Sequence, residues 1–97
     1  MNDTDIIRVL WQVINDRIAH PPPQSYVCDI LGHRKGIDKA LEKVGEETTE
    51  FILAMKNDAY DRKVSEAADL VFHLLLALRA GDVELDDVLA ELSGRRR

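Results

Sequence analysis

The sequence predicts an all-α fold, because helical periodicity runs through most of its 97 residues and no segment alternates with period two. Apolar residues recur at spacings of three and four over long segments. The helix breakers are concentrated in a proline triplet, a loop bounded by glycines and one late glycine. A chain of this length accommodates one domain, which we place at residues 1–97.

An apolar stripe at helical spacing marks the first helix, which we predict over residues 4–19. Asp3 or Thr4 would cap its N-terminus. The helix must end before the prolines at 21–23, because proline lacks an amide hydrogen and restricts the preceding residue. We predict that Trp11, next to the stripe, packs in the core and does not stack on a ligand.

Four further helices are predicted, over residues 26–31, 37–56, 60–80 and 85–92. Ser25 would cap the first of them, and the loop at 32–36 separates it from the next. A turn at residues 57–58 joins the two long helices, which makes them antiparallel neighbours. Gly81 would end the second long helix.

Composition limits the classes of function. The formal net charge of −5 does not favour nucleic-acid binding. The single cysteine, Cys28, excludes a disulfide within the chain and a zinc site built on cysteines. The sequence does not open on a signal peptide, and its longest apolar run, 74–78, is too short to span a membrane. We therefore expect a cytoplasmic protein without a membrane partner.

The helix at 37–56 carries an apolar stripe with an acidic edge. The stripe consists of Ile37, Leu41, Val44, Thr48, Phe51, Ile52 and Met55. Glu47 lies at its edge, with Glu50 one turn further on and Glu46 beyond, and Lys39 and Lys43 fall in the same acidic strip. Taken alone, these acids are more often solvated than functional.

The helix at 60–80 is apolar nearly all round, which indicates burial on most sides. Its predicted core stripe contains Val64, Ala67, Ala68, Val71, Leu75 and Leu78. On the far face lie Glu66, Asp69 and His73, and we interpret His73 as a hydrogen-bonded core histidine. Carboxylates on a largely buried helix need neutralisation, by lysines or by a divalent cation. A cation would also explain why there are several.

Two acidic pairs at spacing three, Glu47 with Glu50 and Glu66 with Asp69, would then face each other across the two helices. Hard cations such as Mg²⁺ take oxygen ligands of this kind and leave room for substrate phosphates. The sequence therefore predicts one Mg²⁺ site of four carboxylates.

The acidic segments resemble the phosphoribosyl-ATP pyrophosphohydrolases of histidine biosynthesis, which belong to the MazG-like all-α nucleotide pyrophosphatases. The resemblance rests on Lys-Val-Gly-Glu-Glu-Thr-Thr-Glu at 43–50 and Glu-Ala-Ala-Asp-Leu at 66–70, followed by His73. Ser25-Tyr26, Gly36, Asp38-Lys39 and the segment 85–92 match the narrower family, so that the resemblance covers residues 24–92. The segment 27–35 is longer than the family pattern, and Thr48 stands where a smaller residue is common.

This resemblance implies a MazG-like helical bundle completed by dimerisation, as a homodimer or larger. It implies Mg²⁺-dependent hydrolysis of the α–β phosphate bond of phosphoribosyl-ATP, which yields phosphoribosyl-AMP and pyrophosphate. Glu47, Glu50, Glu66 and Asp69 would be the metal ligands. The chain has no room for the cyclohydrolase domain of the next step, so we expect a separate cyclohydrolase.

The resemblance leaves two kinds of role open. Glu46 would orient the attacking water or complete a second metal site, or it would simply pair with Lys39 or Lys43. The substrate phosphates need cations, for which Lys43 is the first candidate. Lys39, Arg34 and Lys35 are the others, and the last two could equally be solvated loop residues.

Three alternatives remain at this point. A house-cleaning pyrophosphatase of the MazG-like group would have the same metal site and act on non-standard nucleoside triphosphates. A di-iron carboxylate bundle would need Glu-x-x-His pairs, and Asp69 stands three residues after Glu66 instead. A non-catalytic dimerisation module would carry the acids as ordinary surface and would not respond to Mg²⁺.

Overall fold

The computed structural model describes residues 5–57 and 59–96, and all regular elements within these ranges are helices, as the sequence predicts. They are α1 (Ile6–Ala19), α2 (Tyr26–Leu31), α3 (Ile37–Asn57), α4 (Tyr60–Ala80) and α5 (Leu85–Gly94). The predicted caps of the first helix, Asp3 and Thr4, and Asp58 of the predicted turn lie outside the described residues. Within these ranges, no helix combines the length and the apolarity needed to cross a membrane.

Local chemistry explains where the helices begin and end. His20, which precedes the prolines, leaves the helical region with φ −134° and ψ 71°. The hydroxyl oxygen of Ser25 accepts a hydrogen bond from the amide of Cys28 at 3.2 Å and so caps α2, as predicted. Gly81 is the C-cap residue of α4, as predicted. The residue in the left-handed conformation is the next one, Asp82, with φ 58°.

The apolar core lies where α1, α2 and the second half of α4 meet the start of α3. Its buried side chains are Ile14, Val27, Ile30, Ala40, Leu75, Leu76 and Leu85. Trp11 packs against this core, as predicted. An ion pair between Arg8 and Asp86 adds a link between α1 and α5.

The helices α3 and α4 pack against each other along most of their length, but not through the predicted stripes. The buried residues of α3 are Ala40, Glu47 and Ala54, and those of α4 include Glu66 and His73. Leu41 and Ile52 of the predicted α3 stripe and Val64 of the predicted α4 stripe are instead about half exposed, whereas Leu75 of the α4 stripe is buried in the core, as predicted. Periodicity identifies an apolar face but not the surface that covers it. In this hairpin, the face of α3 that packs against α4 is the one with Ala40, Glu47 and Ala54.

Candidate active site

Three carboxylates meet across the seam between α3 and α4. Glu47 comes from α3, whereas Glu66 and Asp69 come from α4, one turn apart. One carboxylate oxygen of each residue lies within 4.8 Å of the other two, and we call these three residues the acidic cluster. Oxygen ligands of Mg²⁺ lie about 2.0–2.1 Å from the ion, so two of them can be no more than about 4.2 Å apart. Small side-chain adjustments would therefore allow the cluster to share one ion.

Two members of the acidic cluster are buried without a partner for one of their oxygens. Glu47 and Glu66 are only 7% and 5% exposed. Within the described part of the chain, Glu47 Oε2 and Glu66 Oε2 have no hydrogen-bond donor. Because a buried carboxylate oxygen without a donor is costly, each of these two oxygens calls for a further positive charge or a hydrogen-bond donor. Oxygen donors of this kind fit a hard divalent cation such as Mg²⁺.

The pKa values of these two carboxyl groups also show that their charged forms are poorly stabilised. Burial is the largest cause and raises the pKa of both Glu47 and Glu66, and the charges of Glu50 and Asp69 raise it further. Glu50 itself is exposed. The structure therefore places Glu50 on the solvent side of the acidic cluster, close enough to act on both buried carboxyl groups.

Lys43 and Glu46 form a pair at the edge of the acidic cluster. The Nζ atom of Lys43 donates a hydrogen bond to Glu46 Oε2 at 3.0 Å and lies 3.7 Å from Glu47 Oε1. The hydrogen bond to Glu46 raises the pKa of Lys43, which keeps its amine charged. Of the arrangements considered for Glu46, the structure thus shows the salt bridge to Lys43.

The other predicted substrate-binding residues lie further out. Lys35 and Lys39 both pair with Glu42, at 3.0 and 3.6 Å, rather than with the acidic cluster. Arg34 is exposed in the loop between α2 and α3. Of these four candidates, all of which the structure describes, Lys43 is the one that reaches a member of the acidic cluster.

Two features of the site were not predicted. Arg62, which was not among the candidate site residues, pairs with Glu66 Oε1 at 3.1 Å. The spacing of four residues on one helix was the signal for this pair. The hydroxyl of Tyr26 lies 2.6 Å from His73 Nε2, and no local pattern could have indicated a contact across 47 positions of sequence. His73 is buried and hydrogen-bonded, as predicted.

Comparison with known proteins agrees with the resemblance drawn from the acidic segments. A sequence model of the phosphoribosyl-ATP pyrophosphohydrolase family matches residues 7–96. The chain belongs to this family. Residues 7–96 contain the acidic cluster and all nine residues that the sequence singled out for the site.

Several relatives named phosphoribosyl-ATP pyrophosphatase match 95–100% of the chain. A phosphoribosyl-ATP pyrophosphatase of Methanosphaerula palustris is 63% identical over 97 residues, covering all of this chain and 98% of its own. The one from Methanoculleus marisnigri is 59% identical, with both chains fully covered. The one from Haloarcula marismortui is 47% identical over 92 residues, which cover 95% of this chain and 94% of its own.

Proposed function

We propose that this protein hydrolyses phosphoribosyl-ATP to phosphoribosyl-AMP and pyrophosphate in histidine biosynthesis, with Mg²⁺ held by the acidic cluster. Membership of the family supports the substrate, because relatives up to 63% identical carry the name of this activity. The observation that supports a bound metal ion is that two buried carboxylate oxygens have no donor, Glu47 Oε2 and Glu66 Oε2. A separate cyclohydrolase would take the product onward.

Glu47, Glu66 and Asp69 would hold the metal, and Glu50 would complete the site from the solvent side. Bound there, Mg²⁺ would offset the negative charge of the phosphate oxygens and the charge that develops in the transition state. The buried carboxylates of Glu47 and Glu66 would contribute negative charge at positions shielded from solvent. Their strong interaction with a cation is therefore available before the substrate arrives.

Lys43 would bind phosphate oxygens next to the metal site, which its position at the edge of the acidic cluster supports. Glu46 fixes Lys43 from the solvent side, and its half-exposed carboxylate is also our candidate for orienting the attacking water. Lys35, Lys39 and Arg34 would bind the more distant phosphates of the substrate and so compensate for the acidic character of the chain.

Release of pyrophosphate from phosphoribosyl-ATP tests this proposal. We would measure it with Mg²⁺ and with excess EDTA, for wild type, Glu66→Gln and the control Glu91→Gln, which changes an exposed acid of α5. Turnover that requires Mg²⁺, survives in the control and is lost in Glu66→Gln would support it. Turnover of other nucleoside triphosphates only would establish the house-cleaning alternative, and turnover of no nucleotide would refute the proposal.

We further propose that a second copy of the chain covers the outward apolar face of the hairpin. Leu41, Ile52, Leu53 and Val64, which lie on the two helices of the hairpin, are 51–57% exposed, and large exposed apolar side chains are typical of an interface. Ile52→Glu should reduce the molecular mass in sedimentation equilibrium to that of one chain. Leu92→Glu, at a side chain of α5 that is 57% exposed, is the matched control. A monomeric wild type would overturn the proposal.

A further inference from the structure

The two buried glutamates of the acidic cluster have the same surroundings at each of their two oxygens. Their Oε1 atoms face cations, because Lys43 Nζ lies 3.7 Å from Glu47 Oε1 and Arg62 Nη2 lies 3.1 Å from Glu66 Oε1. Their Oε2 atoms have no hydrogen-bond donor within the described part of the chain. The acidic cluster therefore pairs one oxygen of each buried glutamate with a cation and leaves the other for a further positive charge.

The pair of Arg62 with Glu66 joins an exposed cation to a buried anion. The side chain of Arg62 is 59% exposed, whereas that of Glu66 is 6% exposed. A guanidinium can bind both oxygens of a carboxylate, but this one bonds to Oε1 and not to Oε2. Arg62 thus reaches the acidic cluster from the solvent side and keeps more than half of its side chain in contact with solvent.

The stability of α4 does not account for a cation at position 62. Arg62 lies in the first turn of α4, at the positive end of the helix dipole, where a positive charge is unfavourable. An arginine placed four residues before a glutamate is also the weaker orientation of such a pair. Exposed ion pairs contribute little to stability in any case. What this position does offer is contact with the acidic cluster.

The carboxylate of Glu66 connects the proposed metal site to Arg62. A cation at its Oε2 and the guanidinium at its Oε1 would be neighbours across a single carboxylate group. Phosphate oxygens that approach the metal site would therefore come close to Arg62 as well. Guanidinium is weakly hydrated and its fork of N–H donors matches phosphate oxygens, so it is well suited to bind them.

We propose that Arg62 binds phosphate oxygens of the nucleotide, and that Glu66 holds it at the acidic cluster as a counter-ion until the nucleotide arrives. This rests on the proposed function. Arg62 on α4 and Lys43 on α3 then provide one phosphate-binding cation at each buried glutamate. On binding, the guanidinium of Arg62 exchanges a carboxylate oxygen for phosphate oxygens. Until then it competes with the metal ion for the negative charge of Glu66.

Arg62→Gln is the central variant, because it should change metal binding and nucleotide binding in opposite directions. Without nucleotide, the Kd for Mg²⁺ should fall about three-fold, since a competing cation at the rim of the site has been removed. At saturating Mg²⁺, the KM for phosphoribosyl-ATP should rise about ten-fold with kcat nearly unchanged, the effect of losing a charged hydrogen bond to the bound nucleotide. Calorimetry and initial rates measure the two effects.

Two further variants separate the phosphate contact from charge alone and from arginine loss in general. Arg62→Lys keeps the positive charge without the fork of donors and should recover part of the loss in KM. Arg95→Gln is the matched control, because Arg95 also forms an exposed pair at a spacing of four, with Glu91 on α5. It should leave the Kd for Mg²⁺ and the KM unchanged.

An unchanged KM in Arg62→Gln would overturn this proposal. Weaker binding of Mg²⁺ alone, or none, in Arg62→Gln would also overturn it, because Arg62 would then support the metal site and not compete with it. A wild type without turnover would refute the proposed function instead. In that case the binding of inorganic pyrophosphate with Mg²⁺, measured by calorimetry, replaces the KM. Weaker binding in Arg62→Gln but not in Arg95→Gln then supports the phosphate contact, and equal binding or no binding refutes it.

Discussion

Helix α3 offers the same seam position three times, and the middle one differs from the two outer ones. Ala40, Glu47 and Ala54 recur at a spacing of seven and are 1%, 7% and 0% exposed. At the outer positions a methyl group fills the space and requires no partner. At the middle position a carboxylate takes its place and leaves one oxygen without a donor. Packing alone would favour an apolar residue there, so the glutamate agrees with the metal site proposed for this part of the seam.

Leucine substitutions at the middle and at an outer position should separate the effect on packing from the effect on catalysis. We expect the largest changes in activity and stability from these substitutions. Glu47→Leu should lower kcat/KM at least about 100-fold, because it removes a proposed metal ligand. It should also raise the thermal midpoint in EDTA, because it removes a buried carboxylate with one oxygen that has no hydrogen-bond donor. Thermal melts and pyrophosphate release measure the two effects.

Ala54→Leu is the matched control for Glu47→Leu. It forces extra volume into a filled position and should destabilise the protein by about 1–3 kcal/mol with or without Mg²⁺. If Glu47→Leu and Ala54→Leu lowered the free energy of unfolding equally in EDTA, the Glu47 side chain would be required for the packing of α3 against α4. The contrast between the two positions would then be lost.

Mg²⁺ should stabilise the wild type, because its positive charge would interact with the buried carboxylates of Glu47 and Glu66. At free Mg²⁺ about 100 times its Kd, the free energy of unfolding should rise by about 2.7 kcal/mol. The rise should be absent in Glu47→Leu and retained in Glu91→Gln. Calorimetric melts against Mg²⁺ concentration measure it, and a midpoint of the wild type that ignores Mg²⁺ would contradict a metal site at the acidic cluster.

Without metal, the wild type should lose stability relative to Glu47→Leu as the pH rises above the acid range. Burial raises the folded-state pKa of Glu47 and Glu66 above the ordinary value of 4.5. The folded state thus binds these protons more tightly than the unfolded state. Their contribution is complete below about pH 4.5 and is lost as the pH rises through the folded-state pKa.

The thermal midpoint in EDTA, followed from about pH 5 to about pH 8 for both proteins, measures this loss. Saturating Mg²⁺ should reverse the trend, because the ion binds the deprotonated carboxylates. A difference between wild type and Glu47→Leu that does not change with pH in EDTA would show that the buried carboxyl groups do not titrate in this range.

The smallest effect on stability is expected at Arg62, the one cation seen to pair with Glu66 within the described residues. Arg62→Gln should lower the thermal midpoint slightly in EDTA, because the guanidinium is 59% exposed and its pair is partly screened by solvent. Saturating Mg²⁺ should remove the difference. Arg95→Gln, in an exposed pair of the same spacing on α5, should show no such dependence on Mg²⁺.

The sequence was sufficient to predict the helices because their boundaries depend on local chemistry. Proline at 21–23, the Ser25 cap and Gly81 each act within one turn of their own position, and the bounds agree to within two residues. The left-handed residue was not foreseen, since Asp82 takes that conformation where glycine is usual. The acidic cluster could be predicted because its members lie on two helices joined by a short turn.

The packing of the helices and the long-range contacts could not be predicted in this way. The apolar stripe of α3 was predicted correctly as one face of the helix. The pattern of one helix does not show, however, that this face points away from α4. The bond between Tyr26 and His73 depends on how α2 sits against α4, and the pairing of Lys39 with Glu42 depends on rotamers. Such contacts become visible only with the packed structure.

The acidic cluster and Glu50 all come from the single hairpin of α3 and α4, within residues 47–69. A site built from neighbours in the chain assembles early, because little loop entropy opposes its closure. In this hairpin, however, the first contacts to form bring like charges together. We expect that repulsion to slow the zippering of the two helices when no cation is present. Mg²⁺ should therefore accelerate refolding in stopped-flow experiments, acting as a template for the hairpin before it serves the nucleotide.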